Sequence, residues 1–230
     1  MIRAVFWDFG GVILASPFDA FNEYERANGL PVDFIRGVNS RDPHTNAWAR
    51  FERREVTATE FDALFAEESE LHGHRVTGAD VIAMLSGAVR PEMVRALDGV
   101  IAAGYLTACL TNNVESDESR PEVDEVMARF HHVIESRHVG LRKPEPAFYE
   151  LACTTAGVEP YEVVFLDDLG INLKPARAMG MRTIKVVSPD QAIAELEAAL
   201  GVELSGATST AAAGWWWSWA SAAARRRRLR

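Results

Sequence analysis

Four polar elements along the chain have the types and order to do chemistry together: Asp8, then Thr111-Asn112, then Lys143, then Asp167-Asp168 with Asn172 close behind. Three follow a short apolar run: Ala4-Val5-Phe6-Trp7 leads to Asp8, Leu106-Thr107-Ala108-Cys109-Leu110 to Thr111, and Val163-Val164-Phe165-Leu166 to Asp167. Lys143 lies beyond a weaker run, His132-Val133-Ile134. Singly, each has a purely structural reading. Asp8 before Gly10-Gly11 is a turn former, Asn112 or Asp168 caps a following helix, and Lys143 before Pro144 is a solvated loop lysine. Together, those readings leave three carboxylates and a cation at one sheet edge unexplained. Carboxylates within a few Å raise one another's pKa unless a cation neutralises them. Oxygen ligands on a concave site with room for a phosphate suit Mg²⁺. That ion lets a phosphate dianion approach an anionic nucleophile, and Lys143 adds a second positive charge. Only Lys143, Lys174 and Lys185 among the 24 Lys and Arg residues are lysine. A compact ammonium at position 143 therefore stands out in an arginine-biased chain.

The elements that must position these groups alternate between strand and helix. The apolar runs are short and uninterrupted, as in strands covered on both faces of a parallel sheet, and Thr183-Ile184-Lys185-Val186-Val187 adds a fifth. Pro91 stands where a first helical residue belongs and Gly104 where that helix stops; Gly157, Gly180 and Gly201 end three later helical stretches. Ser188-Pro189-Asp190-Gln191 is a capping box with proline in the first turn. The pattern predicts an α/β fold, a doubly wound parallel sheet built from right-handed crossovers. Between the first strand and Pro91 the apolar residues take helical spacing instead: Phe18 with Phe21, Trp48 with Phe51, Phe61 with Leu64 and Phe65, Val81 with Met84 and Leu85. Thr57-Ala58-Thr59-Glu60 opens one of these helices with a capping box. The expected layout is a core domain over 1–14 and 90–204 with a helical cap domain over 15–89. An insert there sits above the C-terminal end of the first strand, where open parallel sheets bind ligands, and so acts as a lid.

Composition narrows the function classes. The 230 residues are 48% hydrophobic and 25% charged, ordinary for a soluble globular protein, and the net charge of −9 argues against a broad nucleic-acid-binding face. Two cysteines, Cys109 and Cys153, make neither a disulfide framework nor a zinc motif, so a reduced, cytoplasmic setting is expected. No signal peptide opens the chain, and no apolar run is long enough for a membrane span. Residues 205–230 differ in kind, with no acids, five arginines, and Trp215, Trp216, Trp217 and Trp219 close together. They read as a low-complexity tail rather than an interfacial anchor on anionic lipid, since helical periodicity is missing.

In this order and setting the motifs resemble those of the haloacid dehalogenase superfamily of hydrolases, over Ile2 to about Leu204. Phe6-Trp7-Asp8-Phe9-Gly10-Gly11-Val12 is similar to its first motif, Leu110-Thr111-Asn112 to its second, Lys143-Pro144 to its third and Phe165-Leu166-Asp167-Asp168 to its fourth. The stretch from Phe165 to Arg177 resembles the N-terminal phosphatase domain of soluble epoxide hydrolases, and a similar domain precedes some acyl-CoA dehydrogenases. The resemblance implies a Mg²⁺-dependent phosphatase of small phosphorylated molecules. Asp8 would attack phosphorus in line and form an aspartyl-phosphate that water hydrolyses. Thr111 and Asn112 would hold phosphate or substrate oxygens, and Lys143 would bridge Asp8 and the phosphate. Asp8, the Gly10 carbonyl and Asp168 would hold the metal, with Asp167 ligating through water or orienting the ligands. Asn172 would support them from behind, or sit on a helix surface.

The chain departs from the family pattern at Gly10, where phosphatases usually carry a second aspartate. That side chain protonates the leaving oxygen and later activates water, help worth typically ~10²–10⁴ in rate. Slow turnover, a restriction to good leaving groups such as acyl or glycosyl-1 phosphates, or a substitute acid from the cap would each follow. Asp19, His44 and Glu52 are the candidates for that acid. The superfamily's 2-haloacid dehalogenases also lack the second aspartate and need no metal, but an unneutralised Asp167-Asp168 pair would repel their carboxylate substrates. A non-catalytic phosphate-binding module is the other alternative, and the intact Asp8 nucleophile argues against it. The cap arginines Arg36, Arg41, Arg50, Arg53 and Arg54 either meet a second anionic group or face solvent. His72-Gly73-His74 and His131-His132 lack further metal ligands, and Cys109 reads as an apolar filler.

Overall fold

The computed structural model describes residues 1–85, 87–114 and 120–204; the Trp- and Arg-rich stretch from 205 onward lies outside them. The chain enters through strand β1 (Ala4–Trp7) and a tight turn at Phe9–Ile13, then runs through five helices: α1 (Phe18–Ala27), α2 (Phe34–Ser40), α3 (Ala47–Glu52), α4 (Ala58–Glu70) and α5 (Gly78–Ala83). It continues as α6 (Pro91–Ala102), β2 (Leu106–Thr111), α7 (Pro121–Met127), β3 (His132–Glu135), α8 (Ser136–Val139) and α9 (Pro146–Ala156). The last elements are β4 (Val163–Asp167), α10 (Gly170–Ala178), β5 (Arg182–Lys185) and α11 (Pro189–Leu200).

The five strands form one sheet in the order β3-β2-β1-β4-β5, every pair parallel. This is the doubly wound α/β fold with a helical insert after the first strand. The strands alternate side chains between two buried faces. Val5 and Trp7 pack with Met93 and Leu97 of α6 and Leu196 of α11, whereas Ala4 and Phe6 pack with Phe148 and Ala152 of α9 and Leu173 of α10. Because both faces are covered, the strands carry no polar alternation. β1 lies at the point where the strand order reverses, so a crevice opens at its C-terminal end between β1 and its neighbours.

The insert has an apolar cluster of its own, centred on Phe51, Phe61, Phe65 and Val81, with the Phe51 and Phe61 rings stacked at 4.5 Å. Two adjacent crossings join it to the sheet domain. Leu14 and Val89 form an antiparallel bridge, Ala15 N–H donates to the Ala88 carbonyl at 2.8 Å, and Arg90 N–H to that of Ile13 at 2.9 Å. Both capping boxes expected from sequence are present, at Thr57/Glu60 and Ser188/Gln191. β5 is shorter than its apolar run, which reaches Val187. Val187 is exposed and donates its N–H to the Gln191 side chain, so the cap of α11 takes the last residue from the strand. α2 was not legible in the sequence. It starts after Asp33 in the left-handed backbone region (φ 59°), and the buried carboxylate of Glu25 accepts the N–H groups of Asp33 and Ile35. A side chain from the preceding helix thus does the capping. Among the described residues no helix is long and apolar enough to cross a membrane.

Candidate active site

The parallel register brings the expected residues to one edge. Trp7 pairs with Cys109 on one side and Leu166 on the other, so Asp8 emerges beside Leu110 and Asp167, and its N–H donates to the Leu166 carbonyl at 2.8 Å. Asp8, Asp167 and Asp168 each place a carboxylate oxygen within 4.8 Å of the others. Lys143 reaches this edge from the loop before α9. Its Nζ lies 2.7 Å from Asp8 Oδ1 and 2.9 Å from Asp167 Oδ2, and the side chain is only 1% exposed.

The two buried aspartates are not equivalent. Asp167 is saturated with donors: Lys143 Nζ, Leu169 N–H at 2.8 Å, and Asn172 Nδ2 at 3.1 Å to both oxygens. Asn172 is itself placed by the buried Tyr149 hydroxyl, which donates to its carbonyl at 2.7 Å. Asp8 accepts the Phe9 N–H and the Lys143 ammonium through Oδ1. Asp168 packs against the turn after β1 so closely that a Cβ on Gly11 would lie 2.2 Å from Asp168 Oδ2. Gly11 also has φ +74°, so both the close approach and the backbone demand glycine there. Arg90 fixes that turn by donating to the Gly11 carbonyl at 2.8 Å.

The electrostatics follow from this crowding. Burial pushes the Asp8 carboxyl well above its ordinary range; Lys143 opposes the shift, while the Asp167 and Asp168 charges add to it. Burial and the Asp167 charge push Asp168 up to about 6. Burial alone would lower the Lys143 pKa, but Asp167 and Asp8 outweigh it, and the ammonium stays charged. Three carboxylates against one buried cation leave negative charge uncompensated. The donor set, all carboxylate and carbonyl oxygen, is of the hard type that Mg²⁺ selects. Cys109, buried beside Asp8, has its thiol pushed up by burial and by the Asp8 charge, which keeps it protonated and inert.

A cavity of about 1560 Å³ lies between the sheet edge and the helical insert. Asp8, Gly10, Thr111, Asn112, Lys143, Asp168 and Asn172 all line it, whereas Asp167 is sealed beneath. Of the three acids considered as substitutes for the missing aspartate, Glu52 lines the cavity; Asp19 and His44 are exposed on the insert and do not. Glu52 is occupied as an acceptor, taking hydrogen bonds from Trp48 Nε1, Asn112 Nδ2 and the Arg142 guanidinium. Burial raises its carboxyl above the ordinary range, and the Arg142 guanidinium and the Trp48 N–H oppose that shift. Among the cap arginines Arg36 lines the cavity, stacked 4.2 Å over the Phe18 ring, while Arg53 is paired with Glu55 and Glu145. Asn112 lines the cavity with its side chain already engaged. It bonds the Lys143 backbone and Glu52. Sequence reasoning passed over Arg142, Tyr149 and Arg90, which hold the site from behind. Arg142 alone left a signal, by standing next to Lys143.

A doubly wound sheet with buried acids at its switch point and a helical insert above defines a capped α/β protein with an acidic cavity at its strand ends. The haloacid dehalogenase-like hydrolase family model matches residues 2–180, and the chain belongs to that family. It is 36% identical over 209 residues to acyl-CoA dehydrogenase family member 10 of Mus musculus, covering 88% of this chain and 19% of that protein. It is 32% identical over 223 residues to bifunctional epoxide hydrolase 2 of Mus musculus, covering 90% and 40%. The chain thus spans less than half the length of either relative. Among solved structures it is similar to a HAD family enzyme from Bacteroides thetaiotaomicron in complex with magnesium and inorganic phosphate. That match has a TM-score of 0.54 and 21% identity, over 80% of this chain and 94% of that one.

Proposed function

We propose that this hydrolase is a Mg²⁺-dependent phosphatase of small phosphorylated molecules with Asp8 as its nucleophile. The observation that carries the reading is the three-carboxylate cluster around one buried ammonium, which needs a further cation and then suits a phosphate dianion. Asp8, Asp168 and the Gly10 carbonyl would hold Mg²⁺, which supplies charge neutralisation and draws the phosphate to the nucleophile. Asp167, saturated by Lys143, Leu169 and Asn172, orients the others. The Asp8 carboxylate attacks phosphorus and the substrate oxygen leaves; water then releases inorganic phosphate from the aspartyl-phosphate and restores the carboxylate. Lys143 Nζ, already on Asp8 Oδ1, stabilises the charge on the transferring group. Thr111, at the end of β2, offers a hydroxyl to a phosphate oxygen.

With glycine at position 10 and Glu52 occupied, the chain presents no acid for the leaving oxygen among the candidates considered. Turnover is then slow or restricted to phosphates with good leaving groups. A 2-haloacid dehalogenase would have to seat a carboxylate substrate against the same acid cluster, which disfavours that reading. Phosphate release from acetyl phosphate and p-nitrophenyl phosphate, with and without Mg²⁺ and with Asp8→Asn as control, tests the proposal. Mg²⁺-dependent turnover abolished in the variant is the expected result. Metal-independent chloride release from 2-chloropropionate, with no phosphate release, would replace it with the dehalogenase.

A further inference from the structure

We infer that Glu52 is a positioning residue that ties the seating of the helical insert to the placement of the Lys143 ammonium. The role in turnover rests on the phosphatase reading; the placement itself does not. Lys143 sits in a loop, and one side chain clamps its backbone. Asn112 accepts the Lys143 N–H through Oδ1 at 2.8 Å and donates Nδ2 to the Lys143 carbonyl at 2.9 Å. The amide of Asn112 must face one way for this to work, because a flipped amide would set NH₂ against N–H and oxygen against oxygen.

Glu52 enforces that orientation. Its Oε2 accepts the other Nδ2 hydrogen of Asn112 at 3.2 Å and the guanidinium of Arg142, the residue just before Lys143. Its Oε1 is held by Trp48 Nε1 at 2.9 Å. An ionised carboxylate only accepts hydrogen bonds, so it can face the NH₂ of Asn112 and not its oxygen. Trp48 and Glu52 belong to α3 of the insert, whereas Asn112, Arg142 and Lys143 belong to the sheet domain. Arg142 further donates to the carbonyl of Pro43 in the insert at 2.8 Å. Glu52 and Arg142 are 5% and 8% exposed. A pair so desolvated is weak evidence for stability, and a role in fixing geometry accounts better for its presence. When the insert lifts, Glu52 and Trp48 leave with it. Asn112 is then free to turn and the Lys143 loop loosens, so the ammonium is set between Asp8 and Asp167 only under a seated lid.

The neighbouring ion pair Arg53–Glu145 supplies the control. It also fastens the insert to the sheet domain, at 3.0 Å; Glu145 Oε2 accepts the Arg142 N–H at 3.4 Å, but neither side chain touches Asn112 or Asp8. Amide hydrogen exchange at Lys143 is compared in wild type, Glu52→Gln and Arg53→Gln, with the β1 amides reporting that each is folded. Exchange at Lys143 is expected to quicken by about tenfold or more in Glu52→Gln and to stay unchanged in Arg53→Gln. For acetyl phosphate, kcat falls about 10- to 100-fold in Glu52→Gln, the scale of a misplaced catalytic group, with KM within about threefold. Arg53→Gln stays near wild type. Should Glu52→Gln not fold, Glu52→Asp keeps the charge for Arg142 but withdraws by one methylene from Asn112, and the same change at Lys143 is expected. Unchanged Lys143 exchange in a folded Glu52 variant, an equal change in Arg53→Gln, or unfolding of both Glu52 variants overturns the assignment. Wild type without turnover refutes the phosphatase reading alone, and the exchange comparison then decides the placement by itself.

Discussion

Replacing Gly10 by aspartate puts a carboxylic acid two residues after the nucleophile, at the cavity wall. The local geometry accepts it. Gly10 has φ −67° and ψ 135°, ordinary extended backbone, and a Cβ built there meets nothing within 4 Å. A side chain at such a position stabilises by about 0.4–1 kcal/mol through the unfolded chain, offset in part by repulsion from the nearby acids. The variant should therefore fold within about 1 kcal/mol of wild type. A general acid is worth ~10²–10⁴ in rate, about 3–5 kcal/mol of barrier. On the leaving-group step that gain applies only where the leaving oxygen needs a proton, whereas activation of water in the second step helps all three substrates alike. Steady-state phosphate release is measured for an alkyl phosphate, p-nitrophenyl phosphate and acetyl phosphate in both proteins. The alkyl phosphate should gain at least about 100-fold, and more than acetyl phosphate gains. A folded, Mg²⁺-binding Gly10→Asp protein with no gain on the alkyl phosphate, or with the same gain on all three, refutes the reasoning. Gly11→Asp makes the contrast. At φ +74° with Asp168 2.2 Å from the new Cβ, it lowers all three rates together.

Lys143→Gln leaves Asp8 and Asp167 buried without their cation and should cost about 3–5 kcal/mol in metal-free urea unfolding, less when Mg²⁺ is present. Equal losses with and without Mg²⁺ would separate the lysine from the metal's charge. The pH dependence follows from Asp168, raised to about 6 in the folded protein. Between its unfolded value near ~4 and about 6, the folded chain binds more protons than the unfolded one. Metal-free stability therefore falls as pH rises through that window, and Mg²⁺ affinity weakens by about tenfold per unit as pH falls below about 6. Thermal unfolding at pH 5, 6 and 7.5 checks this. The increase in Tm on adding Mg²⁺ should be clearly smaller at 5 than at 7.5, and an equal increase at both would exclude Asp168 as a ligand.

The chain's own residues determined much of this architecture because the signals are local. Ala4–Trp7, Val163–Asp167 and their like carry no polar alternation, which only a strand covered on both faces tolerates. Helix ends were written in Thr57/Glu60, Ser188/Gln191 and the glycines at 157 and 201, whose capping acts over three or four residues. Asp8 and Asp167 could be brought together from sequence because parallel strands in register carry their ends to the same edge. The tertiary structure decided whatever depends on partners far along the chain. α2 forms against Glu25, eight to ten residues back, and propensity alone did not reveal it. Lys143, 24 residues away, joins Leu169 and Asn172 on the Asp167 carboxylate. Glu52 looked like a spare acid until Asn112 and Arg142, 60 and 90 residues away, were found to occupy it. A carboxylate's chemistry is set by which donors surround it, and those donors come from elements that only folding brings near.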